Sequence, residues 1–182
     1  MNNITNGDEF RQFTAFARID GAIMGGLWIA SFACFVGEFS SPLLGFAAFA
    51  LGLSSVIVGF LRLRKFRDQT LGGLITFGKA TAYSTLTYFY ASLLLAVAQY
   101  VYFQFIDHGY LMNQYITMLS TPEYIAVVKD VYGMDAKEMI NILQTTMASM
   151  KPIEIAFQFL TLNVILAIII SIPVGALIRK AH

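Results

Sequence analysis

Four long apolar runs divide this chain, and nine of its twelve Lys and Arg residues fall on one side of them. The runs are about 21–37, 43–61, 81–105 and 153–177. Arg11 and Arg18 precede the first. Arg62, Arg64, Lys65, Arg67 and Lys79 lie between the second and third, and Arg179 and Lys180 follow the fourth. Lys129, Lys137 and Lys151 fall on the other side. Lipid offers no partner to backbone N–H and C=O groups, so a spanning segment must satisfy them internally, as a helix or a closed barrel. About 20 apolar residues carry a helix across about 30 Å of hydrocarbon. The first run is short, and Phe13–Ile19 extends it through the interface. Basic residues in short flanking loops stay cytoplasmic. The expectation is an all-α membrane protein with four spans, both termini inside, and residues 107–152 outside.

Composition agrees. Hydrophobic residues make up 57% and charged residues 13%, against about 45–50% and about 25% in soluble domains. The excess sits in blocks, which argues for a single membrane domain over 1–182 rather than an oily soluble core. A net charge of +1 provides no face for nucleic acid. Cys34 is the sole cysteine, so an intrachain disulfide or thiolate cluster is excluded. Asp8 and Glu9 stand where a cleavable signal would carry a basic region, so the first helix is expected to be retained.

Local signals fill in the rest. Phe10, Phe13 and Ala17 share one face of a lead-in helix at the cytoplasmic interface, with Arg11 and Arg18 off it. Pro42 fits the first turn of the second span. Gly21/Gly25, Ala22/Gly26 and the stripe Ala48, Gly52, Ser55, Gly59 suit close helix approach, either within the chain or between two copies. Residues 71–80 read as an interfacial or half-inserted helix that turns near Gly78. Between the third and fourth spans, Pro122 starts a helix that Gly133 ends. Asp135 and Glu138 have capping-box spacing for a second helix, with Met139, Leu143, Met147 and Met150 on one face. Glu154 lies at the positive N-terminus of the last span. Pro173 is expected to kink that span.

These residues resemble a bacterial family of four-span membrane proteins known as a domain of unknown function. Gly73-Leu74-Ile75-Thr76-Phe77-Gly78-Lys79-Ala80 looks like its Gly-x-Ile-Ser-Phe-Gly-x-Ala element, with Thr76 for serine. Tyr100–Asp107 is similar to its Tyr-x-Tyr…Phe-Ile-Asp exit from the third span. Met147–Pro152 resembles its Met-rich run before the last span. The resemblance implies an inner-membrane location and a link to envelope glycans or lipids, without an activity.

Candidate chemistry is sparse. Gln99 and Gln158 lie at similar depth near the outer ends of spans three and four, facing each other. Asn163 lies deeper, near the level of Ser92. They read as interhelical hydrogen bonds or as a polar cavity. Arg62, Arg64, Lys65, Arg67 and Lys79 read as a snorkelling anchor or an anionic-lipid site. Thioethers suit Cu(I), but Met112, Met118, Met134, Met139, Met147 and Met150 give one spaced pair, and His108 and His182 are isolated, so packing is the simpler reading. No cofactor, metal or catalytic set is expected. Two functions remain open: a non-enzymatic subunit or scaffold with a protein partner or second copy, and a small lipid- or solute-handling protein with a cavity around Gln99, Gln158 and Asn163.

The topology is directly testable. Asn141→Cys is predicted to react with a membrane-impermeant thiol reagent in intact cells, and Thr70→Cys only after permeabilisation. Labelling of Thr70→Cys from outside would overturn the arrangement.

Overall fold

A computed structural model describes residues 6–133 and 135–180. Among these residues the chain forms seven helices: α1 Asn6–Gly37, α2 Pro42–Thr70, α3 Phe77–Phe105, α4 Tyr110–Leu119, α5 Pro122–Tyr132, α6 Ala136–Ser149 and α7 Pro152–Ile178. Four stretches, Phe10–Gly37, Pro42–Thr70, Phe77–Phe105 and Pro152–Ile178, are long and apolar enough to cross a membrane. The chain is an all-α, multi-pass membrane protein. The lead-in and the first span form one helix, α1. α2 continues past its apolar run, through Arg62–Arg67, to Thr70.

The ends of the helices follow local chemistry. Ser40 and Ser41 N–H groups bond to the Gly37 carbonyl, and Pro42 opens α2 where its missing N–H costs nothing. Gly72 and Gly73 adopt φ of 66° and 89°, a left-handed backbone that glycine takes without a Cβ penalty. They terminate α2, with the Gly73 N–H returning to the Arg67 carbonyl at 2.9 Å. Residues 71–76 are therefore not the interfacial helix expected from the sequence. Ile75 instead pairs with Lys180 through two N–H···O bonds of 3.0 Å each. α3 starts at Phe77, after Thr76.

The chain divides into two compact units, Met1–Ala98 with Gln158–His182, and Gln99–Phe157. In the first, Ala17, Leu63, Phe66, Ile75, Ala80, Tyr83, Val174 and Ile178 form a buried cluster, so α1, α2, α3 and α7 all contribute. These residues lie at the basic end of their helices. Met24, Tyr88, Ala91 and Ala167 form a second cluster along the same helices. The small residues explain the close approach. A Cβ on Gly21 would stand 2.5 Å from Tyr90 Cβ and 2.8 Å from the Thr87 carbonyl, and one on Gly59 would stand 2.5 Å from the Tyr88 hydroxyl. Gly21, Gly25 and Gly59 are thus used for packing within the chain, while Gly26 has nothing within 4 Å. α7 stays helical through Pro173.

In the second unit α4, α5 and α6 pack on one another. Sequence reading places two short helices here; α5 and α6 match them, and α4 is a third. Its start is fixed by Asp107, whose carboxylate accepts the Gly109 and Leu111 N–H groups at 3.0 Å each. His108 and Gly109 turn through the left-handed region, with φ of 44° and 82°. Gly133, with φ of 64°, ends α5. Asp135 accepts the Lys137 N–H at 3.0 Å and caps α6. The Lys151 N–H bonds to the Glu154 carboxylate at 2.8 Å at the head of α7, half of a capping box. Met134 and His182, and the side chain of Met147, lie outside the described residues.

Two substitutions test these contacts. Asp135→Ala should cost α6 about 1 kcal/mol of stability through loss of the cap. Gly21→Ala should destabilise the first unit by about 1–3 kcal/mol, the usual range for overpacking a filled interface. Unfolding midpoints in a defined detergent provide the measurement.

Candidate functional site

α1 presents Ala17, Asp20, Gly21 and Met24 on one face, spaced three and four residues apart, and all four are buried. Asp20 is 2% exposed. A carboxylate here has lost its water, and its charge persists only if paired and hydrogen-bonded. Both oxygens are engaged. Arg62 of α2 donates its Nε–H to Oδ1 at 2.6 Å and closes on the same oxygen with Nη2. The Tyr83 hydroxyl of α3 donates to Oδ2 at 2.7 Å. One acid on α1 therefore ties three helices together.

Aromatic rings exclude solvent around this node. Phe66 stacks on Tyr83 with centroids 4.2 Å apart and 16° between planes. Phe13 meets Tyr83 edge-on at 5.3 Å, and Phe16 leans on Phe66 at 5.5 Å. Tyr83 is 1% exposed. Low dielectric strengthens the Asp20–Arg62 attraction and raises the penalty for losing either partner.

Below the node, Arg67 closes the end of α7. Its Nη1–H donates to the Ile178 carbonyl at 2.9 Å, and its Nε–H to Asp68 at 2.7 Å. The last carbonyls of a helix lack intrahelical partners, and a cation there also suits the helix dipole. Along the bundle in the other direction, the Trp28 indole N–H donates to Ser55 Oγ at 2.9 Å. Its ring stacks on Tyr88, with centroids 5.9 Å apart.

The residues singled out in the sequence fare differently. Of the five basic residues, Arg62 and Arg67 are turned inward to protein partners. Arg64 and Lys65 are exposed, with Arg64 3.7 Å from Asp68. Lys79 is exposed. The reason is helical phase: Arg62, Leu63, Phe66 and Arg67 share the packed side of α2, with Arg64 and Lys65 off it. Ser92 is fully buried and donates to the Tyr88 carbonyl at 2.8 Å, a bond within α3. Gln99 is 3% exposed, and its Oε1 has no partner among the described residues. It belongs to the unit Gln99–Phe157, whereas Gln158 and Asn163 belong to the other. Gln158 does not share the burial of Gln99; it is exposed, and Asn163 is half-buried. On α7 the buried positions are Ala156, Ala167, Ser171, Val174, Gly175 and Ile178. Gln158 precedes Ala167 by two and a half turns and so points the opposite way, while Asn163 precedes it by about one turn.

Asp20 and Tyr83 are not among the candidate residues of the sequence analysis. The available signal was the shared phase of Asp20 with Ala17, Gly21 and Met24, a small-residue face that had to pack.

Residues 20–180 match the family model described as Protein of unknown function (DUF4199), and the chain belongs to that family. No curated protein and no solved structure matches the chain.

Tyr83→Phe isolates one bond of the node. It should cost about 1.5–3 kcal/mol, the range for a hydrogen bond to a charged group. Equal midpoints for wild type and Tyr83→Phe would show that the hydroxyl does not hold Asp20.

Proposed function

We propose that this member of a family of unknown function is a non-enzymatic subunit or scaffold of a complex in a bacterial inner membrane, with both termini cytoplasmic and residues 107–152 periplasmic. The observation that carries this reading is the saturation of Asp20. An intramembrane acid is by default a candidate for ion or proton handling. Here both oxygens are committed to Arg62 and Tyr83, on two other helices, which is the arrangement of a structural tie. The nine basic residues at one end support the orientation. Exposed Arg64 and Lys65 suit anionic headgroups, and a subunit of this kind calls for a protein partner or a second copy.

A second reading rests on Gln99. Its buried Oε1 lacks a partner among the described residues, which favours a polar pocket for a lipid or solute at Gln99.

Purification of the full chain from native membranes, followed by native mass spectrometry, separates the two. A protein present at fixed stoichiometry through high-salt washing is the outcome expected for a subunit. A chain that travels alone with one retained lipid or solute, lost on Gln99→Leu, would overturn it in favour of the second reading.

A further inference from the structure

We propose that the ends of α2 and α7 together form a binding site for the phosphate of an anionic phospholipid, held by Arg64 and Lys180. The inference rests on the membrane-spanning fold and goes beyond the subunit reading, which it does not require.

The two cations are far apart in sequence, and the fold brings them together. Arg67 of α2 donates its Nη1–H to the Ile178 carbonyl at 2.9 Å. Ile75, in the loop after α2, pairs with Lys180 through two bonds of 3.0 Å each. These contacts pin the residues that close α7 against the end of α2. Asp68 marks the meeting point. Arg67 donates its Nε–H to that carboxylate at 2.7 Å, Arg64 stands 3.7 Å from it, and the Lys180 ammonium is near enough to attract it. Three cations therefore converge on one acid. Asp68 answers Arg67, which faces inward, so the surplus positive charge falls on Arg64 and Lys180, both exposed.

The surroundings of the site select a lipid. Leu53, Ile57 and Leu61 of α2 recur four residues apart, on one side of the helix, and each is more than half exposed. On a spanning helix that side faces acyl chains. Arg64 follows Leu61 by about one turn and flanks the same side, at the level where the apolar column ends. On α7, Leu177 is 74% exposed, and Lys180 follows it by three residues. Each cation thus stands just beyond an apolar side chain that faces lipid. A phospholipid presents matching parts, acyl chains and then a phosphate. The Arg64 guanidinium can grip two phosphate oxygens at once, and the Lys180 ammonium adds a mobile point charge. A free phosphate would meet the same two cations but would gain nothing from Leu61 and Leu177.

Native mass spectrometry of the full chain tests the site. The protein would be stripped of lipid in detergent, then titrated with phosphatidylglycerol, phosphatidylcholine or inorganic phosphate. Phosphatidylglycerol should bind more tightly than either of the others. A basic residue beside an anionic headgroup is worth about fivefold in affinity, so Arg64→Gln with Lys180→Gln should weaken phosphatidylglycerol binding about 25-fold. Each single replacement should weaken it about fivefold, so the test does not depend on the double variant folding. Lys129→Gln with Lys137→Gln removes the same charge from α5 and α6 and should leave the affinity unchanged. Equal affinity in the wild type and the Arg64 and Lys180 variants, or an equal loss in the Lys129 and Lys137 variant, overturns the proposal. Inorganic phosphate bound as tightly as phosphatidylglycerol would show a site for a free anion and overturn it too.

Discussion

Asp20 holds a negative charge on a helix built to cross a membrane, and the packing of the first unit is organised around keeping that charge satisfied. An ionised carboxylate without water or a partner is among the costliest groups a protein can bury. Its two oxygens dictate where Arg62 and Tyr83 must stand, and hence the relative phase of α1, α2 and α3. The aromatic shell of Phe13, Phe16 and Phe66 follows from the same demand. Rings packed around Tyr83 keep water away from the acid that its hydroxyl holds.

This arrangement bears on specificity as well as stability. In lipid, helices gain nothing from hiding apolar surface, because the solvent is equally apolar. Small residues let backbones approach: Gly21 and Gly25 under α3, and Gly59 under Tyr88. Such contacts tolerate sliding by a turn. An ion pair with a phenol as third member does not, since a one-turn shift of about 5.4 Å would strand the acid. The glycines make α1, α2 and α3 close; the Asp20 node fixes their register. Arg67 and the Ile75–Lys180 pairing then fasten the end of α7 to the loop after α2.

Much of the fold is legible in the sequence because hydropathy and local capping are short-range properties. The four long helices follow from the apolar runs, and α5 and α6 from Pro122, Gly133 and Asp135. α4 is harder to read, because its cap, Asp107, works across a left-handed turn at His108 and Gly109 that no simple motif announces. Residues 71–76 look helical by composition, yet paired glycines break the helix and a distant strand-like contact with Lys180 claims Ile75. The candidate site is legible only in part. Charge alone places Arg62 and Arg67 among headgroups; the phase of α2 turns them inward. Depth along a helix can be read from the sequence, but azimuth cannot: Gln99 is buried, whereas Gln158 is exposed.

The central claim is that Asp20 and Arg62 act as one unit. A double-mutant cycle in a defined detergent measures this, comparing Asp20→Leu, Arg62→Leu and the double replacement by equilibrium unfolding. Arg62→Leu strands a buried acid and is predicted to cost about 3–5 kcal/mol; Asp20→Leu leaves only a partly exposed guanidinium and should cost less, and the double change removes both charges and should cost far less than the sum. Additivity of the two single effects to within about 0.5 kcal/mol, as for residues that do not interact, would contradict the account.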